Sequence, residues 1–173
     1  MSHSSRAYTT WLLASLLVPA ISGCGIYSFT GGGGLPGHIE SIAILPFDNR
    51  TTQFTLTQEL TQRLTDVLPG RLGVKLTDEG SADAIVRGVI TRYQESATNY
   101  QPDPAGPVIF QRRVDIAVTV EIFDTREEAV LWGSSSVRGA GEYIPDQQSE
   151  EIGRQLAIDN LVTAIIDGAQ SQW

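Results

Sequence analysis

Few side chains in this sequence are equipped for chemistry. There is one cysteine, Cys24, and there are two histidines, His3 and His38. A single cysteine excludes an intramolecular disulfide and any cysteine-rich zinc site. His38 stands at the start of a β-rich run and beside no nucleophile. Carboxylates are plentiful, but they fall in turn-like pairs (Asp78-Glu79, Glu127-Glu128) or at the start of a helical stretch (Asp146, Glu150, Glu151). No metal-ligand spacing and no nucleotide fingerprint occurs. The four glycines Gly31 to Gly34 are not followed by Lys-Ser/Thr, so they do not form a phosphate loop. These residues predict no catalytic residues, no metal and no cofactor.

The chemistry that Cys24 does offer is acylation. Trp11 to Ile21 is an apolar run of 11 residues after a short polar start carrying Arg6. It is too short to cross a hydrocarbon core of about 30 Å as a helix. A cationic start, a short apolar run and then small residues make a secretory signal. Ile21-Ser22-Gly23-Cys24 resembles a bacterial lipobox, so residues 1–23 are expected to be removed. Cys24 would then carry a diacylglycerol and an N-acyl chain. Gly25 in place of Asp predicts release to the outer membrane. The expected location is its periplasmic face, held by lipid without a protein span.

Arginine supplies the other chemistry. Guanidinium forks match phosphate geometry, and Arg112-Arg113 follow a proline-rich stretch at Asn99 to Pro107. Arg87 and Arg92 lie five apart on the preceding strand, on opposite faces if that strand is regular. The chain is acidic, however: 173 residues carry 12 basic and 20 acidic side chains, a net charge of −8, with Lys75 the only lysine. Such a field excludes nucleic-acid binding by phosphate neutralisation. Any anion site must be local.

The elements that position these groups follow from periodicity. The apolar fraction of 41% supports a packed core. Residues 24–37 form a glycine-rich tether, and residues 38–173 one domain. His38 to Phe47 reads as a strand. Leu56, Leu60, Leu64, Val67 and Leu68 share one helical face. A capping box is expected at Thr55 and Gln58, and a stop at Pro69-Gly70. A short strand at Gly73 to Leu76 follows, then a strand at Ala84 to Tyr93 and a loop at Asn99 to Pro107. Val114, Ile116, Val118, Val120 and Ile122 alternate cleanly with Arg113, Asp115, Ala117, Thr119 and Glu121, which predicts a strand with one buried and one wet face. Ala129 to Val137 pairs back as a hairpin, and Arg138 to Asp146 reads as a loop. Ser149 is the expected N-cap of a last helix with Ile158, Leu161, Val162, Ile165 and Ile166 inward. The order β-α-β-β-β-β-α predicts an α+β two-layer sandwich, two helices on one face of a four- to five-stranded mixed sheet.

In that order the segments resemble a family. Cys24-Gly25-Ile26-Tyr27-Ser28-Phe29, the run Leu35 to Thr51 (LPGHIESIAILPFDNRT), Ala82 to Ile90 (ADAIVRGVI), and Asp124 followed by Val130-Leu131-Trp132 are similar to segments of the LptE lipoproteins of lipopolysaccharide assembly. The resemblance implies a non-enzymatic plug and assembly factor inside an LptD-type outer-membrane β-barrel, helping to deliver lipopolysaccharide to the outer leaflet. It implies lipopolysaccharide as a possible direct ligand, for which Arg112 and Arg113 are the cations nearest a loop. The IAILPFDN stretch is also similar to curli-secretion lipoproteins, and a subunit of another envelope or secretion complex is the alternative. Tyr27, Phe29, Tyr100, Tyr143 and Trp173 are the aromatic residues available for partner contact.

Overall fold

Strands of 18, 17 and 15 residues dominate the architecture. In the computed structural model, which describes residues 35–101, 104, 106 and 108–172, β1 (Ser41–Ile44) and β2 (Asp48–Asn49) precede helix α1 (Leu56–Leu72). Then come β3 (Lys75–Leu76), β4 (Ala84–Gln101), β5 (Val108–Asp124), β6 (Ala129–Tyr143) and helix α2 (Glu150–Gln170). The expected signal segment 1–23 and residues 24–34 of the expected tether, Cys24, Tyr27 and Phe29 among them, lie outside the described residues, as does Trp173.

The sheet order is β3-β1-β4-β5-β6, and β2 continues along the same edge of β4 as β1. β1 pairs in parallel with β3 and β4, whereas β4-β5-β6 is an antiparallel meander. The sheet is therefore mixed, as expected, with one strand more than the upper count. Both helices cover one face. Leu56, Leu60, Leu64 and Leu68 of α1 and Ala157, Leu161, Ile165 and Ile166 of α2 are buried against Val86, Ile90, Val114, Ile116, Val118, Val120 and Ile122. Each fully buried aliphatic side chain contributes about 1.5–3 kcal/mol.

Several boundaries differ from the sequence reading. β4 runs on through Asn99, and β6 runs on through Arg138 to Tyr143, where a loop was expected. Glycines 139 and 141 look like loop residues but lie where a helix backbone touches the strand. A Cβ on Gly139 would stand 2.1 Å from Ala157 O, and one on Gly141 would stand 2.1 Å from Gly153 O. Pro69 forfeits one helical hydrogen bond but does not end α1. The stop is Gly73, in the left-handed region (φ 72°), with its N–H on Pro69 O. Thr55 is already helical (φ −71°, ψ −20°) and forms no side-chain cap, so the capping box is absent. Ser149 is extended ahead of α2 but its hydroxyl caps nothing.

Candidate functional site

Two faces and one end of the meander concentrate the polar side chains. Adjacent residues of a strand point to opposite faces, so Arg112 and Arg113 separate. Arg112 shares the helix-facing side with Tyr143, its register partner on β6. Its Nη1 donates to Glu95 Oε1 at 2.8 Å, and the Tyr143 hydroxyl donates to the same oxygen. These two donors hold the Glu95 carboxyl below the usual carboxylate range. Burial and then the neighbouring carboxylate push the Tyr143 hydroxyl up. Tyr143 is thus a buried network member and offers little surface to a partner. Arg113 stands on the open face, 3.1 Å from Asp115 Oδ1 through Nε. The structure does not bring the two arginines together, and each has a carboxylate of its own.

A second network joins the helices to the sheet. Arg154 of α2 is 8% exposed. Its Nε donates to Glu59 of α1 at 2.8 Å and its Nη1 donates to Glu150, which also accepts the Tyr93 hydroxyl. Burial pushes the Arg154 pKa down, but the two carboxylates more than offset this.

His38 and Asp124 form a pair at the opposite end of the sheet, which their separation of 86 residues hid from sequence reasoning. His38 Nε2 lies 2.6 Å from Asp124 Oδ2, and the Asp124 side chain is fully buried. Asp124 Oδ1 accepts Arg126 N at 2.8 Å and Glu127 N at 3.0 Å, which closes the β5–β6 turn. Burial pushes the Asp124 carboxyl up, but the bonds from Glu127, His38 and Arg126 outweigh it and leave it below its ordinary value. Next to it, Asp83 accepts the Ser41 hydroxyl at 2.7 Å, Ser41 N at 3.0 Å and Glu40 N at 3.1 Å. The Ser41 hydroxyl is the main reason its carboxyl is lowered too.

A carboxylate with a depressed folded-state pKa stabilises the fold above its unfolded value of about 3.9. That contribution is lost as pH falls through the folded value. Stability measured by urea unfolding is therefore expected to be level near neutrality and to fall below about pH 4. Asp124→Ala should cost about 2 kcal/mol at pH 7, because two backbone N–H groups and His38 lose their acceptor. The variant should also show a shallower acid decline. An Asp124→Ala protein with the acid limb of the parent would remove this assignment.

The open face reads as a ladder of rows across β4, β5 and β6. Arg87 pairs with Glu121 at 2.6 Å and its guanidinium carbon lies 5.0 Å from the Phe123 ring centroid. Val89 opposes Thr119, Arg92 opposes Ala117, Gln94 opposes Asp115 and Ser96 opposes Arg113. A shallow groove of about 440 Å³ borders Pro46, Asp48, Arg87, Val89 and Glu121. Among the described residues no three metal-ligating side chains cluster, and no helix is long and apolar enough to cross a membrane.

This fold agrees with what comparison shows. The lipopolysaccharide-assembly family LptE matches the chain over residues 39–168, more than half of its length. The chain belongs to the LptE family. The match begins at Ile39 and takes in every strand and almost all of α2. No curated protein matches the chain by sequence. Many solved structures share the fold, among them the following two. A PelC dodecamer variant from Paraburkholderia phytofirmans is 15% identical, with TM-score 0.51, covering 82% of this chain and 93% of that one. Protein XCC0632 from Xanthomonas campestris is 8% identical, with TM-score 0.55, covering 80% and 92%. At these identities the likeness is one of fold. For the LptE chain, the sandwich expected from its periodicity is the sandwich observed.

Proposed function

We propose that this LptE-family chain is a non-enzymatic, lipid-anchored subunit of the outer membrane. In this reading it plugs an LptD-type β-barrel, assists its assembly and helps pass lipopolysaccharide to the outer leaflet. Family membership over residues 39–168 is the observation that carries this reading. Physical support comes from the sheet. The lumen of a large barrel is polar and water-filled, and the open face presents Arg87, Glu121, Thr119, Gln94, Asp115 and Arg113 to such a surrounding. Acyl chains on Cys24 would hold the domain on the periplasmic leaflet and raise its concentration near a barrel partner. Within this reading Arg112 and Arg113 contact lipopolysaccharide by exchanging Glu95 and Asp115 for phosphate oxygens.

Co-purification of the tagged full-length chain from its own outer membrane in mild detergent tests the proposal. The expected result is a large β-barrel protein at a near one-to-one ratio. Recovery of the chain alone would overturn the plug reading. Recovery as a homo-oligomer would overturn it as well and would favour a subunit of another envelope or secretion complex. In the recovered complex, Arg112→Ala with Arg113→Ala should lower bound lipopolysaccharide. Unchanged binding would reject these two residues and leave the plug itself standing.

A further inference from the structure

We infer that the free edge of β6 pairs with the same edge of a second copy of this chain, antiparallel and centred on Gly133. The outermost strands of the sheet are not alike. β3 has two residues, one of them Lys75, the only lysine of the chain. A short edge strand that carries a lysine resists further pairing. β6 has 15 residues. Its stretch from Ala129 to Val137 (AVLWGSSSV) holds no charge and no proline. Val130 is 53% exposed, and Gly133, Ser135 and Ser136 are exposed too. Such an edge offers a row of unpaired N–H and C=O groups to another strand.

The edge is complementary to itself. A two-fold axis at Gly133 sets Trp132 opposite Ser134, Ala129 opposite Val137 and Glu128 opposite Arg138. The facings agree. Trp132 and Ser134 oppose Ile122 and Val120 of β5, and Ala129 and Val137 oppose Asp124 and Val118, so all four lie on the helix-facing side. The irregularities of β6 also fall about that centre. Leu131 is an extra residue against β5 on one side of Gly133, and Ser135-Ser136 hold an extra residue on the other. Bulges often turn an edge away from a partner, but here both copies bend alike at matching places. Among the described residues Arg138 has no carboxylate within 4.0 Å and Glu128 has no cation. The axis gives each the other, at both ends of the pairing. Moving it to Trp132 would set Arg138 against Arg126, and moving it to Ser134 would set Arg138 against Val130. The helix beneath adds no repulsion. On the edge side of α2, Leu156 lies against Gly141, Asn160 Nδ2 donates to Ala140 O at 2.7 Å and Gly168 lies against Trp132. Asp159 and Asp167 turn the other way, to Arg63 and Arg71 of α1. So short an edge makes a small interface, of the size that gives weak, reversible association. The pairing therefore belongs to chain present in excess of its barrel partner, and it goes beyond the plug reading.

A cysteine on the axis tests the pairing. A Cβ on Gly133 meets nothing nearer than 3.5 Å, so Gly133→Cys fits the fold. Directly opposed antiparallel residues stand about 4.5–5.5 Å apart, within the span of a disulfide. The full-length chain, purified without partners in an excess of dodecyl maltoside micelles, is oxidised. Gly133→Cys is expected to give mainly a covalent dimer, while the parent and Ser81→Cys, at an exposed site off the edge, stay uncross-linked. Sedimentation equilibrium in the same detergent reads the register without any added cysteine. The parent should dimerise reversibly. Arg138→Glu should weaken the dimer about fivefold or more, because it sets two carboxylates together at each end. Arg138→Glu with Glu128→Arg should return it to within about twofold of the parent. Both residues are exposed, so circular dichroism of these variants should match the parent. Cross-linking of Gly133→Cys no greater than that of Ser81→Cys, a monomeric parent, or a charge exchange that restores nothing would overturn the pairing. The measurement uses the isolated chain, so its failure leaves the plug reading standing.

Discussion

Gly139→Val is expected to unfold the domain or to cost about 4 kcal/mol or more. The Cβ alone would stand 2.1 Å from Ala157 O and 2.6 Å from both Leu161 N and Leu161 Cβ. Two of those three atoms are helix backbone, which cannot swing aside as a side-chain tip can. To admit a methyl group, α2 must lift from β6, and Ala157, Leu161 and Ile165 would then lose their burial. Gly141 makes the same demand, with Gly153 O at 2.1 Å and Ala157 N at 2.6 Å. Gly133 lies on the same strand and supplies the contrast. Its nearest atoms are at 3.5 Å, and Gly133→Ala should change stability by no more than about 0.5 kcal/mol. Urea unfolding of the two variants checks this. A Gly139→Val protein within about 1 kcal/mol of the parent would mean that α2 does not bear on β6 as described.

Arg154→Ala should cost about 3 kcal/mol, for an electrostatic reason. Arg154 is 8% exposed, and its guanidinium bridges Glu59 of α1 to Glu150 of α2. Its loss leaves two carboxylates facing one another with no cation between them, and a cavity under the helix pair. Arg154→Lys should rescue little, because one ammonium cannot present a fork to two acceptors. Replacing Arg154, Glu59 and Glu150 together with apolar residues of similar volume should return stability to within about 1 kcal/mol of the parent, since no unpaired charge is left buried. A triple replacement as damaging as Arg154→Ala would show that the ion pairs themselves, and not the unpaired carboxylates, account for the loss.

Much of the layer arrangement is legible in local pattern. Val114 to Ile122 alternate in the sequence and are buried alternately in the fold, with only Ala117 departing from the wet side. Leu56, Leu60, Leu64 and Leu68 repeat at helical spacing and all turn inward. Both facts have the same cause: a helix and a strand each need one continuous apolar face, and the face repeats within a few residues. The family resemblance was legible too, in ordered segments of the strands and turns, and the match over residues 39–168 establishes it.

The polar sites were less legible, because contacts far apart in sequence decide them. His38 meets Asp124 across 86 residues, and Arg154 meets Glu59 across 95. Arg112 and Arg113 are adjacent in sequence and face opposite ways, since a strand separates neighbours. Arg92 and Arg138 share a row only because two bulges shift their register against β5.

By itself, then, the sequence determined the two amphipathic helices, the central alternating strand and the acidic balance. The tertiary structure alone decided how far β4 and β6 extend, why glycines 139 and 141 belong in a strand, and which arginines are neutralised. Burial periodicity is a property of each segment and survives in isolation. Register, bulges and ion pairing exist only between segments, and only the packed sheet with its helices specifies them.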